Sequence, residues 1–215
     1  MILKSQLPLE DITVTEFERI VDAGELVVAD SHGPNVLHLD NGNMIKLFRR
    51  KRLISSALFS PYAVRFTNNA FKLSALDIPT VTPVRLMHCA TRSIHLVEYR
   101  PLTGELLRGL LQAEGSDDQF SQTARFIAEL HHKGVYFRSL HFENIITHDG
   151  SLGLIDIADM KIYRHPLSQS LRQRNFQHFM RYPQDAALIS SFGEERFRQH
   201  YLEQQMDLES TAIND

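Results

Sequence analysis

A single cysteine, Cys89, stands in a chain of 215 residues. No internal disulfide framework can form from it, and such usage fits a reducing compartment. No apolar run approaches the ~20 residues of a membrane-spanning helix. The segment Met1 to Pro8 holds no apolar core of a signal peptide. The expectation from these absences is a soluble, cytoplasmic protein. Charge of one sign is also lacking: a formal net charge of -3 gives no global footprint for nucleic acid. Internal repeats, low-complexity tracts and flexible linkers are missing as well. What remains, 43% hydrophobic and 23% charged residues, suits a globular chain of one or two lobes with a sizeable core.

The order of elements is uneven along the chain. A short helix is expected near Thr15, where Thr15 and Glu18 have the spacing of a capping box. Strands are expected over 25–29, 35–39 and 44–48, the last two joined by Asp40-Asn41-Gly42-Asn43. Asn-Gly between apolar runs is a strong hairpin signal, because both residues tolerate positive φ. A helix follows, with Ser60 as N-cap, Pro61 at its first position and Ala63, Phe66, Ala70 and Leu73 as its apolar stripe. Residues 81–87 and 93–98 read as another strand pair. After Glu98 the texture turns helical: 103–112, 116–132 with Gly134 as its stop, and 167–206. Two short strands, 144–147 and 152–157, interrupt it around His148-Asp149-Gly150-Ser151. Strands first and helices after is an α+β arrangement, divided here into 1–98 and 99–215.

The chemistry concentrates in two segments, 136–144 and 154–159. Tyr136-Phe137-Arg138-Ser139-Leu140-His141-Phe142-Glu143-Asn144, followed by Leu154-Ile155-Asp156, resembles the catalytic loop and metal-binding aspartate of kinase-fold phosphotransferases. That pattern reads His-Arg-Asp, four residues, Asn, then a second Asp beyond a short hairpin. Arg138, Asn144 and Asp156 stand at pattern positions, and Ser139 replaces the catalytic aspartate. The Leu-His-x-x-Asn-Ile and Leu-Ile-Asp segments are similar in particular to the small bacterial lipopolysaccharide-core kinase-like proteins, the family that includes those labelled toluene-tolerance proteins. The resemblance implies a bilobal protein-kinase-like fold, with a small β-rich N-lobe and a helical C-lobe, that binds ATP and Mg²⁺ between its lobes.

It also implies roles for residues. Asp156 and Asn144 are the expected Mg²⁺ ligands, since hard cations take oxygen donors. Lys46 is the expected ATP-phosphate lysine. Strand alternation gives it one face with Met44 and Phe48. Gly33, Glu98 and Asn69 complete the nucleotide-side candidates, Asn69 near the helical position where the family has an acid for this lysine. No Asp or Glu occurs between Asp40 and Asp77, and the phosphate turn Asp30 to Pro34 has one glycine instead of three. Catalytic candidates are Ser139, His141, Arg138 and Glu143. A serine hydroxyl cannot serve as the carboxylate that accepts the acceptor's proton. His141, Glu143 and Asp159 are the substitutes nearby, and the loop pattern should also accept aspartate in place of Ser139.

Substrate class follows from what surrounds the loop. Only about ten residues separate Asp159 from the helical tail at Leu171, which leaves no room for a long activation segment. That disfavours protein substrates and favours a small or sugar acceptor, and the resemblance implies a sugar hydroxyl of the lipopolysaccharide core. Arg49, Arg50, Lys51 and Arg52, with Lys46, Arg65 and Lys72, make a run of positive charge that suits peripheral contact with the inner membrane. Arg172 and Arg174 are further candidates for a phosphorylated acceptor. The alternative to an enzyme is a pseudokinase, binding nucleotide or acting as a scaffold in envelope biogenesis.

Overall fold

The computed structural model describes residues 4–31, 33–49 and 61–214, so His32, Ser60 and the basic residues Arg50, Lys51 and Arg52 lie outside the described residues. The chain separates into two compact units, Met1–Leu102 and Thr103–Asp215. The boundary falls slightly beyond Glu98, because the strand that contains it runs on to Arg100.

The first unit is built on a six-stranded sheet. Its strands are β1 (Leu9–Asp11), β2 (Glu25–Asp30), β3 (Gly33–His38), β4 (Met44–Arg49), β5 (Thr82–Cys89) and β6 (Ile94–Arg100). They lie in the order β1-β5-β6-β4-β3-β2. All pairs are antiparallel except β1 with β5. β1 was not expected, since three residues with one apolar side chain give no period to read. The Asn-Gly turn forms where the sequence placed it, with Gly42 at φ +81° and the Gly42 N–H donating to Leu39.

Helix α1 (Val14–Asp22) begins two residues earlier than expected. Thr13-x-x-Glu16 repeats the capping pattern of Thr15-x-x-Glu18, and the earlier pair forms the box: Thr13 N–H donates to Glu16 at 2.8 Å, and Glu16 N–H to Thr13 Oγ1 at 3.2 Å. Glu18 is thereby left to pair with Arg92 at 2.7 Å. This register packs Val14, Phe17, Ile20 and Val21 on the sheet face formed by Leu37, Ile45, Leu47, Met87 and Leu96. Helix α2 (Tyr62–Ser74) has Pro61 as its N-cap residue and not as its first helical residue. Its Phe66 meets Phe48 and Tyr99 at ring distances of 5.7 and 5.4 Å on the other sheet face. Burying one such phenylalanine contributes about 1.5–3 kcal/mol.

The second unit contains α3 (Leu107–Glu114), α4 (Asp117–His132), α5 (Gln169–Phe179), α6 (Pro183–Phe192) and α7 (Glu194–Asn214). The tail expected as one helical stretch is thus three helices. Pro183 opens α6, and Gly193 at φ +109° closes it. The helix expected from Thr103 starts late, because β7 (Glu105–Leu106) pairs with β9 (Ile145–His148). Gly104 permits that approach: a Cβ there would lie 1.9 Å from the Thr147 carbonyl oxygen. β9 also pairs with β10 (Ser151–Leu154), and β8 (Val135–Phe137) pairs with β11 (Met160–Ile162). β10 stops short of the expected Ile157, since Asp156 turns left-handed at φ +52° into a 3-10 turn over Ile157–Asp159.

Buried His131 ties the helices together. Its Nε2–H donates to Asn175 Oδ1 at 3.1 Å, and its Nδ1 accepts from the Tyr201 hydroxyl at 2.7 Å. Burial pushes its pKa down to about 4. In the first unit, burial and then the neighbouring His88 push His95 down to about 4 as well. An unfolded chain titrates both near 6.5 and so binds more protons between those values. Stability is therefore lost as pH falls from about 6.5 toward 4. The urea midpoint is expected to drop between pH 6.5 and about pH 5. A constant midpoint over that span would contradict a neutral, buried His131.

Candidate functional site

The loop that follows β8 is held from beneath by buried side chains. Asn175 accepts from Phe137 N–H at 3.3 Å and donates to the Phe137 carbonyl at 2.7 Å. Asp185, fully buried, accepts from Phe142 N–H at 2.7 Å through Oδ2 and from Arg108 Nε at 2.7 Å through Oδ1. Arg108 Nη1 in turn meets Glu143 at 2.6 Å. The backbone of 137–142 is therefore fixed by α5 and α6. Sequence reading missed Asn175, Asp185 and Arg108: each stands alone in its helix, and no spacing marks it.

On this frame the loop closes against the β10–β11 turn. Asn144 Nδ2 donates to the Ser139 carbonyl at 2.8 Å, and Ile155 N–H donates to the Asn144 carbonyl at 3.0 Å. Pairing of Met160 with Phe137 brings Asp159 beside the start of the loop. There the Ser139 hydroxyl donates to Asp159 Oδ2 at 2.5 Å. The other oxygen, Oδ1, is buried with no hydrogen-bond partner. Burial raises the Asp159 pKa, with Asp156 adding to the rise while Ser139 and Arg138 oppose it. A carboxylate thus touches position 139 after all, supplied from the turn.

The sequence-predicted residues divide into those brought together and those kept apart. Ser139, Asn144, Asp156 and Asp159 gather around one loop–turn contact. Glu143 is half-exposed and engaged with Arg108, whereas the Ser139 hydroxyl is engaged with Asp159. His141 packs against Tyr182 with the rings tilted by 52° and 4.5 Å apart, and its Nδ1 is buried without a hydrogen-bond partner. Burial holds its pKa below the ordinary value. Arg138 is exposed.

In the first unit, Lys46 shares the α2 face of the sheet with Phe48 and Phe66, its Nζ 5.9 and 5.8 Å from their ring centroids. Asn69 is buried on α2, one turn beyond Phe66. Glu98 is separated from them. It pairs with Ile45 across the ladder, and so points to the face opposite Lys46. Its carboxylate accepts from Asn43 at 2.6 Å and lies 3.7 Å from Arg85. Gly33 starts β3 at φ +107°, opposite Asp30. The described part of the basic run is not one surface: Arg49 projects to the face opposite Lys46, donating to Asn35 at 3.1 Å, and Arg65 lies over the Tyr62 ring.

A divalent cation fits the second unit on chemical grounds. Donation from Asn144 Nδ2 to Ser139 fixes the amide so that Oδ1 is the atom left for a cation, and exposed Asp156 follows Ile155, whose N–H donates to the Asn144 carbonyl. Among the described residues no group of three or more His, Cys, Asp or Glu is arranged to hold a metal alone. Mg²⁺ is bound through one or two carboxylates together with substrate phosphates and water, and Asp156 and Asn144 supply oxygen donors of that kind.

No protein-family model and no curated protein matches this sequence. In fold, the chain is similar to the solved structure of WaaP in complex with acyl carrier protein. The TM-score is 0.62, covering 93% of this chain and 92% of that one at 15% identity. The fold class is therefore an α+β kinase-like fold, sheet-rich in its first part and helical in its second. Because 1020 solved chains match, the fold alone does not choose a substrate.

Proposed function

We propose that this protein is an ATP- and Mg²⁺-dependent phosphotransferase acting on a sugar hydroxyl of the lipopolysaccharide core, with Asp159 as its base. The observation that carries this reading is the Ser139–Asp159 hydrogen bond, which supplies the carboxylate missing from the loop. Transfer joins the acceptor oxygen to the γ-phosphorus and breaks the bond to the bridging oxygen of ADP. The acceptor's proton goes to Asp159. Mg²⁺, when bound, would neutralise charge on the phosphates. Asn144 and Asp156 would hold it, and Lys46 would take the phosphate-binding role with Asn69 beside it.

The acceptor class rests on two supports. One is the resemblance of the 136–144 and 154–156 segments to the lipopolysaccharide-core kinase-like proteins, beside the fold likeness to WaaP. The other is the short chain between Asp159 and α5, which leaves no platform for a peptide. No described helix is long and apolar enough to cross a membrane. As a separate part of the proposal, an amphiphilic acceptor of this class would be met at a membrane surface.

One observation favours the pseudokinase as a second reading. Helix α2 contains no acidic residue, so no carboxylate on it can pair with Lys46. Single-turnover transfer from labelled ATP to isolated core oligosaccharide decides between the two. Binding nucleotide without transferring phosphate to a verified acceptor would establish the pseudokinase.

Metal-dependent binding gives a separate test. Asp156→Ala is expected to abolish the Mg²⁺ dependence of ATP binding, and Asn144→Ala to weaken it less, since a charged oxygen ligand is lost in the first case and a neutral one in the second. Calorimetry in which Asp156→Ala keeps its Mg²⁺-dependent affinity would remove Asp156 from the metal role.

A further inference from the structure

The surface beside Ser139 and Asp159 is strongly basic. Phe137 is clamped to Asn175 of α5 by two hydrogen bonds, so Arg138 emerges next to that helix. Arg174 and His178 are four residues apart on α5, which places them on one side of it. Arg181 follows the C-cap and approaches His178 Nδ1 at 3.3 Å through Nη1. Arg138, Arg174 and Arg181 are all exposed. Among the described residues none of the three has a carboxylate within ion-pair distance. Arg172 is different: it donates to the Leu167 carbonyl at 2.6 Å and lies 3.5 Å from Glu209.

The field at His178 reports this convergence. Burial, then the charges of Arg181, Arg138 and Arg174, hold its pKa below the ordinary value, and Asp159 opposes them. Arg138 acts on Asp159 as well. The basic surface therefore adjoins the carboxylate that faces Ser139. A helix C-terminus favours cations in its last turn, which accounts for Arg181. It does not account for Arg138, which comes from the loop.

We infer that Arg138, Arg174 and Arg181, with His178 between them, form a subsite for an anionic substituent of the acceptor, a phosphate monoester or a sugar carboxylate. Guanidinium groups suit both, because their planar donors match either group in pairs. The inference rests on the proposed function, and it specifies the acceptor as a charged sugar that is held by its anion while a neighbouring hydroxyl reaches Asp159.

The test is made on the full chain without nucleotide. Glucose 6-phosphate, glucuronate and uncharged glucose are titrated while the His178 ring resonances are followed by NMR. The expected result is a shift of His178, with a raised titration midpoint, on adding an anionic sugar and none on adding glucose. Response to glucose 6-phosphate alone assigns a phosphate, response to glucuronate alone a carboxylate, and response to both a general anion site. The double variant Arg174→Gln with Arg181→Gln should weaken binding about 10- to 100-fold, the loss of charge-assisted hydrogen bonds from exposed side chains. No His178 response to either anion, or binding unaltered in the double variant, overturns the subsite. Phosphate transfer to the core with an unchanged KM in that variant also overturns it and leaves the proposed function standing. Anion binding that the variant abolishes, in a protein that transfers no phosphate, keeps the subsite and removes the proposed function.

Discussion

Asp159→Asn is expected to slow phosphate transfer about 100- to 10,000-fold, the usual contribution of a general base. Asparagine keeps the shape and can still accept from the Ser139 hydroxyl, so the loop–turn contact survives and only the proton acceptor is lost. Burial raises the pKa of this carboxyl group, so its ionised form, the one that accepts a proton, disappears as pH falls through that raised value. The wild-type rate should fall along that acidic limb, and the variant should lack it. The stability effect runs the other way. A carboxyl group with a raised folded pKa adds most stability below its unfolded pKa and loses that contribution as pH rises through the folded one. The variant should therefore be no less stable than wild type at pH 7. Aspartate in place of Ser139 is no longer expected to be harmless. It would set a second carboxylate against Asp159, where Ser139 Oγ now lies 2.5 Å from Oδ2, and like charges at that distance share one proton. Ser139→Asp should lower the rate, and adding Asp159→Ser should restore much of it. A wild-type single-turnover rate in Asp159→Asn would end the base assignment.

The largest loss of stability is expected from Asp185→Ala, about 3–5 kcal/mol. The carboxylate is fully buried, and its two oxygens answer two different donors, Arg108 Nε and Phe142 N–H. Removing it takes the acceptor from Arg108 Nε and from the buried Phe142 amide at once, while Arg108 Nη1 keeps Glu143 and Gln184. Asp185→Asn should cost less, since its remaining oxygen still accepts one of the two bonds. Glu143→Gln, at the half-exposed end of the same chain of contacts, should stay within about 1 kcal/mol. Urea denaturation ranks the three, and an Asp185→Ala midpoint near that of Glu143→Gln would show that the pair does not hold the loop.

Periodic features were legible in the sequence and solitary ones were not. The Asn-Gly turn and the apolar stripe of α2 each repeat a local pattern, and each formed. The α1 start was misplaced because two capping patterns overlap and only packing of Val14 and Phe17 chooses between them. The strand expected through Ile157 ended early because the left-handed turn at Asp156 depends on tertiary contacts, and an aspartate tolerates that conformation without announcing it in the sequence. Lys46 could be assigned a face from alternation alone. The same alternation, with the β4–β6 register added, sends Glu98 to the other face, and that register is a long-range fact. Asp159 was visible as one of three nearby groups. Its contact with Ser139 depends on β8 pairing with β11, two three-residue strands too short to carry a period.

The Ser139–Asp159 contact joins residues 20 positions apart into one heritable unit. An aspartate at 139 would crowd the one at 159, and a serine at 159 would leave no carboxylate while 139 is also serine. Each residue is acceptable only with the other already in place. A lineage moving between the two arrangements must pass through a crowded or an empty intermediate, and single substitutions would trap it on one side. Judged one position at a time, a chain of this kind looks defunct. Judged as a pair, it keeps one carboxylate at this contact, on the turn that faces the loop.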